Sequence, residues 1–142
     1  WFVFTGAEET GTMGIRHFYN HIKHLDKKKS YAINFDGIGG KDLSYWSSYI
    51  NPKKNYDRYK VFLKSAEKVD LKFEFAKATF GIRTDGLYLR SKNFLGFGFG
   101  GLGISYKYVH TRNDTIDKVD TSLLEKLCRF VSIILKEIDD QN

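Results

Sequence analysis

Carboxylates arriving at the ends of apolar runs are the first residues in this chain whose placement suggests chemistry. Trp1-Phe2-Val3-Phe4-Thr5-Gly6-Ala7 leads directly into the adjacent pair Glu8 and Glu9. Side-by-side acids repel, and a cation relieves the repulsion when one acid binds it and the other serves as a base. The competing reading is structural: acids in the first turn of a helix are stabilised by its positive end. Another acid, Asp36, closes a second apolar run, Tyr31-Ala32-Ile33-Asn34-Phe35, and is followed by Gly37, Gly39 and Gly40. His110 lies in the polar stretch that precedes the last helical pattern. Carboxylates combined with an imidazole make a donor set suited to zinc or a similar divalent ion.

Two other patterns carry less. His17, His21 and His24 form one stripe of a helix. Histidines four apart can share a metal, but the helical zinc-protease motif needs Glu directly after the first His, and Phe18 stands there. A solvated or part-buried helix face is the expectation for the stripe. Gly96-x-Gly98-x-x-Gly101 formally matches the dinucleotide fingerprint. That fingerprint requires a helix start on the far side, and Ile104-Ser105-Tyr106-Lys107-Tyr108-Val109 does not read as one. A glycine-rich strand that admits close approach is the better reading.

The elements that position these residues follow from periodicity. Residues 1–5 read as a strand buried on both faces, and so does the run ending at Asp36. Between them, Ile15, Phe18, Ile22 and Leu25 give one apolar stripe and predict a helix over about 12–25. A strand–helix–strand unit makes its two strands parallel, so their C-terminal ends share one sheet edge. Ligands bind at that edge in open α/β sheets. Glu8, Glu9 and Asp36 are thereby expected to converge.

Downstream, Tyr45, Trp46 and Tyr49 mark an edge strand or an aromatic flap. Asn55 is a plausible cap for a helix over about 56–69, with Tyr59, Phe62, Leu63, Ala66 and Val69 on its apolar side. Leu71 to Phe75 alternates apolar and charged, as an edge strand does. Thr84-Asp85-Gly86 opens a short helix, Leu87 to Lys92. The last helix runs to about Ile138, capped by Ser122 with Glu125 or by Asp120.

The 142 residues suit a single domain. A 42% hydrophobic and 28% charged composition excludes disorder. The net charge of +6 comes from dispersed lysines, with Lys27-Lys28-Lys29 the longest run, so no nucleic-acid partner is expected. Cys128 is the sole cysteine, which excludes an internal disulfide, and its apolar setting predicts a buried thiol. No apolar run reaches the length of a membrane span, and no membrane contact is expected from this segment.

The local contexts resemble one family, the zinc exopeptidases that include bacterial leucyl aminopeptidases, glutamate carboxypeptidase II and glutaminyl cyclase (peptidase clan MH). Phe4-Thr5-Gly6-Ala7-Glu8-Glu9-x-Gly11-x-x-Gly14 resembles its strand-to-Glu-Glu motif. Asn34-Phe35-Asp36-Gly37-Ile38-Gly39 resembles its strand–Asp motif, and Thr84-Asp85 a Ser-Asp element. His110-Thr111-x-x-Asp114-Thr115-x-Asp117-Lys118-Val119-Asp120 is similar to its final His-Thr…Asp-Thr…Asp motif, and this match is long and specific.

The resemblance implies an α/β three-layer sandwich, a mixed, mostly parallel sheet flanked by helices. It implies hydrolysis of a peptide or amino-acid amide by a water activated by two zinc ions. Glu8 would be the general base, Glu9 a ligand of one zinc, and Asp36 and His110 ligands of the other. Asp85, Asp114 and Tyr108 would lie behind the ligands or on the substrate side, with Asp114 a candidate acceptor for His110. The family also carries an upstream His-x-Asp element that has no counterpart here. Residues 1–142 are therefore expected to be the C-terminal part of a zinc aminopeptidase-like catalytic domain, incomplete at its N-terminal side. Such a piece would bind zinc weakly or partially and be inactive alone. Family members are often exported or membrane-tethered through segments outside this core, and that is the expectation for compartment. Gly86 stands where the family usually has a bulky or imidazole residue, and Val109 where it often has Tyr. The alternatives are a non-catalytic peptidase-like binding domain and glutaminyl-cyclase-type acyl transfer. Retention of Glu8, Glu9, Asp36 and His110 argues against the first, and the lack of His after Asp85 against the second.

Overall fold

The computed structural model describes residues 1–40, 44–46, 56–72, 74–75, 84–100 and 107–140. Asn55, Tyr49, Gly101 and Ile104–Tyr106, on which some expectations rest, lie outside the described residues, as do the side chains of Tyr45, Trp46 and Tyr59.

The described elements run α1 (Met13–Ile22), β1 (Tyr31–Phe35), β2 (Ser44–Trp46), α2 (Tyr56–Glu67), β3 (Glu74–Phe75), α3 (Asp85–Ser91), β4 (Leu95–Gly100) and α4 (Thr121–Asp139). The sheet order is β1-β4-β2-β3. β1 pairs with β4 in parallel from Tyr31 opposite Leu95 to Phe35 opposite Phe99. β2 is antiparallel to β4 and parallel to β3. The sheet is thus mixed and mostly parallel. The described part of the glycine-rich run is the strand β4, and β2 lies between β4 and β3, not at the edge of the sheet.

Alternation along β1 divides the interior in two. Tyr31, Ile33 and Phe35 pack with Phe97 and Phe99 of β4 against Phe62 and Ala66 of α2 and Leu127, Phe130 and Ile134 of α4. Ala32 packs on the opposite side with Ile15 and Ile22 of α1 and Leu89 and Phe94 near α3. Successive strand residues face opposite sides, so this division requires helices on both faces. The result is the expected three-layer α/β sandwich. The larger core is aromatic. Phe62 stacks on Phe97 with ring centroids 3.8 Å apart, and Phe130 meets Phe99 edge to face at 5.4 Å.

Several expectations shift. α1 is shorter than 12–25, with Thr12 in the left-handed region ahead of it, yet its stripe of Ile15, Phe18, Ile22 and Leu25 packs as expected. On α2, Leu63 is 40% exposed and Ser65 is buried, because the apolar arc centres on Phe62, Ala66 and Val69. Asp120, not Ser122, caps α4: its carboxylate accepts from the Ser122 and Leu123 N–H groups at 3.0 and 3.2 Å. Cys128 is exposed, contrary to expectation, since it falls between the turns that carry Leu127 and Phe130 inward. No helix of the described residues is long and apolar enough to cross a membrane.

The largest departure is at the start. Residues 1–7 form no strand in the described structure. Phe2 and Phe4 are 84% and 99% exposed. Trp1, Val3 and Thr5 instead line a cavity of about 450 Å³ together with Tyr31–Asn34 of β1 and residues of α1 and α3. The alternation of a strand is present. No ladder joins this stretch to β1 among the described residues, and β1 finds its parallel partner in β4.

One close approach fixes the exit from this stretch. A Cβ added at Gly14 would lie 2.4 Å from the Gly6 carbonyl oxygen and 2.9 Å from the Gly6 nitrogen. Both are backbone atoms that cannot step aside. A helix-interior Gly→Ala change ordinarily stabilises by up to about 1 kcal/mol. Here the steric cost of about 1–3 kcal/mol wins. Gly14→Ala is expected to lower the melting temperature, while Gly6→Ala, with nothing within 4 Å of its Cβ, leaves it close to wild type. Equal behaviour of the two variants would overturn this account. In the core, Phe130 is fully buried. Phe130→Ala is expected to cost about 3–5 kcal/mol by urea denaturation, and a loss below about 1 kcal/mol would contradict its central position.

Candidate active site at the sheet edge

The first carboxylates sit in a turn built from backbone hydrogen bonds. The Glu8 carbonyl accepts from the N–H groups of Gly11 (3.0 Å) and Thr12 (2.7 Å). The Ala7 and Gly6 carbonyls accept from Met13 and Gly14, each at 3.1 Å. The Met13 and Gly14 N–H groups open α1 and have no partner within the helix, and Thr12 is its cap residue. The turn is therefore welded to the helix end, and Ala7 takes a positive φ of 56° to make it. Glu8 and Glu9 precede α1; the first turn of the helix holds no acid. The reading of the pair as helix-stabilising acids does not fit this geometry.

Asp36 follows β1 directly. Its N–H donates to the Phe99 carbonyl at 2.9 Å, which continues the β1–β4 ladder by one step. Its loop is then tied down at Gly39, whose carbonyl accepts from the Asp120 N–H at 2.6 Å. His110 arrives from the loop before α4 with a positive φ of 62°. Its Nε2 lies 3.0 Å from Glu9 Oε1, with both side chains well exposed.

Asp85, at the start of α3, is buried. The Thr5 hydroxyl donates to its Oδ2. Its Oδ1 is buried with no hydrogen-bond partner among the described residues. Thr84 caps this helix by accepting from the Leu87 N–H at 3.2 Å. Gly86 packs against Asn34 so closely that an added Cβ would lie 2.8 Å from the Asn34 Cβ. A bulkier residue has no room at position 86 in this packing.

Electrostatics report the convergence. The Glu8 carboxyl is raised above the ordinary range, first by desolvation, then by Asp36, Glu9 and Asp85, with His110 acting the other way. Asp36 is raised by desolvation, then by Asp85 and Glu9. Carboxylates from three separate segments therefore share one region, and their charges make Glu8 and Asp36 costlier to ionise. That excess of negative charge, with one imidazole against Glu9, fits a divalent cation in its donor chemistry. The side chains are not drawn into a finished coordination shell: among the described residues no three His, Cys, Asp or Glu form a metal-ligand group.

The remaining sequence-predicted residues are not joined to the site. Asp114 is exposed, and its N–H donates to the Thr111 carbonyl at 3.2 Å. No bond between Asp114 and His110 occurs among the described residues, because the turn at Thr111 carries Asp114 away while His110 faces Glu9. Tyr108 is part-buried; its carbonyl accepts from the Thr111 N–H (3.0 Å) and hydroxyl (2.6 Å), and Lys107 and Lys118 lie over its ring. Thr5 was missed by sequence reasoning. Its signal was a hydroxyl on the same alternating face as Trp1 and Val3.

Solved structures with this fold include an aminopeptidase from Aneurinibacillus sp. strain AM-1, with a TM-score of 0.74 and 18% identity over 94% of this chain and 32% of that protein. A zinc aminopeptidase from Bacillus subtilis gives 0.69 and 20% identity over 94% and 34%. The LapA aminopeptidase of Legionella pneumophila gives 0.73 and 14% identity over 95% and 38%. The chain therefore spans about a third of the length of these proteins. No curated protein sequence matches it. The profile of peptidase family M28 matches residues 1–134, nearly the whole chain, and the chain belongs to that family.

Proposed function

We propose that this chain supplies the general base and part of the zinc-ligand set of an aminopeptidase-like hydrolase, acting within a longer catalytic domain. The observation that carries the reading is the convergence of Glu8, Glu9 and Asp36 at one sheet edge, with His110 Nε2 3.0 Å from Glu9. Membership of peptidase family M28 and the fold shared with zinc aminopeptidases support it.

In this reading Glu9, Asp36 and His110 hold the metal, zinc, with two ions in the complete domain. Bound zinc supplies Lewis acidity, lowering the pKa of water and polarising the scissile carbonyl. Glu8 takes the proton from the attacking water and passes it to the departing amine. Its raised pKa suits that work, since a base poised nearer neutrality can both accept and return a proton. Asp85 holds the Thr5 hydroxyl, and so the chain that leads into Glu8, in place. The substrate is a peptide or amino-acid amide. Tyr108 and Asp114 shape the loop that presents His110. Compartment follows from segments outside this chain, with export or tethering proposed.

Replacing the base isolates its role. In the full-length enzyme, Glu8→Gln is expected to lower kcat for an amino-acid amide by about 10²–10⁴-fold with zinc content unchanged. Full activity in that variant would remove Glu8 from the mechanism. Asp36 tests the electrostatics. Its pKa is raised on folding, so the folded chain holds the proton more tightly than the unfolded one. Stability of the metal-free chain then falls as pH rises from the ordinary carboxylate range through the raised value. With chelator present, Asp36→Asn is expected to melt higher than wild type at pH 8 and alike at pH 3. The same difference at both pH values would show that charge is not the cause.

A further inference from the structure

One cluster of metal-ligating side chains lies outside the site described above. His17 and His21 stand four residues apart on α1. Residues at that spacing are neighbours on one helix face. Their rings meet edge to face with centroids 5.7 Å apart, and both residues are exposed. Phe18, beside them, contacts the His21 ring at 6.4 Å and carries Trp1 against its other side at 5.9 Å. No hydrogen bond or ion pair engages either imidazole among the described residues. The buried residues of α1 are Ile15 and Ile22, so the histidine face is a separate one. With a rise of about 1.5 Å per residue, His17 and His21 stand roughly one and two turns beyond the start of α1. Glu9 lies before that start, which sets the pair apart from the carboxylate edge.

We infer that His17 and His21 form a second metal site, a two-imidazole clamp for a late first-row divalent cation such as Cu²⁺, Ni²⁺ or Zn²⁺. Neutral imidazole is a preferred donor for these ions, and affinity rises towards copper. A metal–nitrogen distance of about 2.0–2.1 Å is reached by side-chain rotation alone, because both rings already share one face of a rigid helix. The ion closes one turn of α1 covalently in effect, and its remaining positions stay open to water or to a donor from another molecule. Because the N-terminal end of α1 is bonded to the Gly6–Glu8 carbonyls, the clamp stiffens the helix that anchors the catalytic turn.

Copper titration of the full chain, followed by electron paramagnetic resonance, tests the assignment. The catalytic histidine is removed in parallel by His110→Gln. A species with two imidazole nitrogens is expected in wild type and in His110→Gln. It should be lost in His17→Gln and in His21→Gln, and kept in His24→Gln. Nickel is expected to raise the melting temperature of His110→Gln, and adding His17→Gln should abolish the rise. These glutamine changes lie on an exposed face, and an unchanged far-ultraviolet circular dichroism spectrum confirms the fold. Persistence of the two-nitrogen signal in His17→Gln or His21→Gln, or its absence from wild type, would overturn the clamp.

Discussion

The parallel pairing of β1 with β4 is the constraint on which the rest depends. It brings Phe35 opposite Phe99 and lets the Asp36 N–H reach the Phe99 carbonyl, so Asp36 emerges at a fixed height on the sheet edge. The same pairing lines up Ile33 and Phe35 with Phe97 and Phe99, which together form the floor under α2 and α4. It leaves Ala32 and Asn34 for the opposite face, where small residues let α3 come close enough for Gly86 to touch Asn34. A slip of one residue would turn every one of these side chains over, driving the aromatic side chains into the close-packed face under α1 and α3. The register is thus held by burial on both faces, and the position of the carboxylates is inherited from it.

The site works against its own electrostatics. Asp36, Glu9 and Asp85 raise the cost of ionising Glu8, and Asp85 and Glu9 raise that of ionising Asp36, while His110 offers only partial relief to Glu8. The backbone holds them there. Two carbonyl–amide bonds within the Glu8 turn and two more to the first residues of α1 hold it to the helix, and Ala7 and His110 occupy the left-handed region that side chains rarely favour. Such conformations persist only where the surrounding structure over-determines them. A cation is the natural neutraliser of this arrangement, and the metal-free chain carries the repulsion in its stability.

Much of this was legible from residue order. The run that closes on Asp36 is a strand ending at the sheet edge, and the apolar stripes of α1 and α4 placed the layers, as residue order implied; Glu8 is carried by a backbone-bonded turn and not by the expected strand end. What escaped had physical reasons. The run Trp1–Phe4 has the composition of a strand, but strand formation is a property of a pair, and no ladder partner stands beside it among the described residues. Cys128 and Leu63 sit at the margins of their helices' apolar arcs, where a small rotation decides exposure. Asp114 matched its motif by position, and motif position is silent about which way a turn points a side chain. The bond from Thr5 to Asp85 spans most of the chain, and no local pattern announces it.

The bond from the Asp120 N–H to the Gly39 carbonyl has a dynamic consequence. It ties the loop that follows Asp36 to the residue that caps α4, and the segment entering that cap is the one that carries His110. Asp120 meanwhile spends its side chain on the Ser122 and Leu123 amides, so its backbone and carboxylate brace different elements at once. Local opening of either loop has to break the same short contact. The two loops are therefore latched to one post: they loosen together or not at all, and a disturbance at the foot of α4 is felt at both sides of the candidate metal centre.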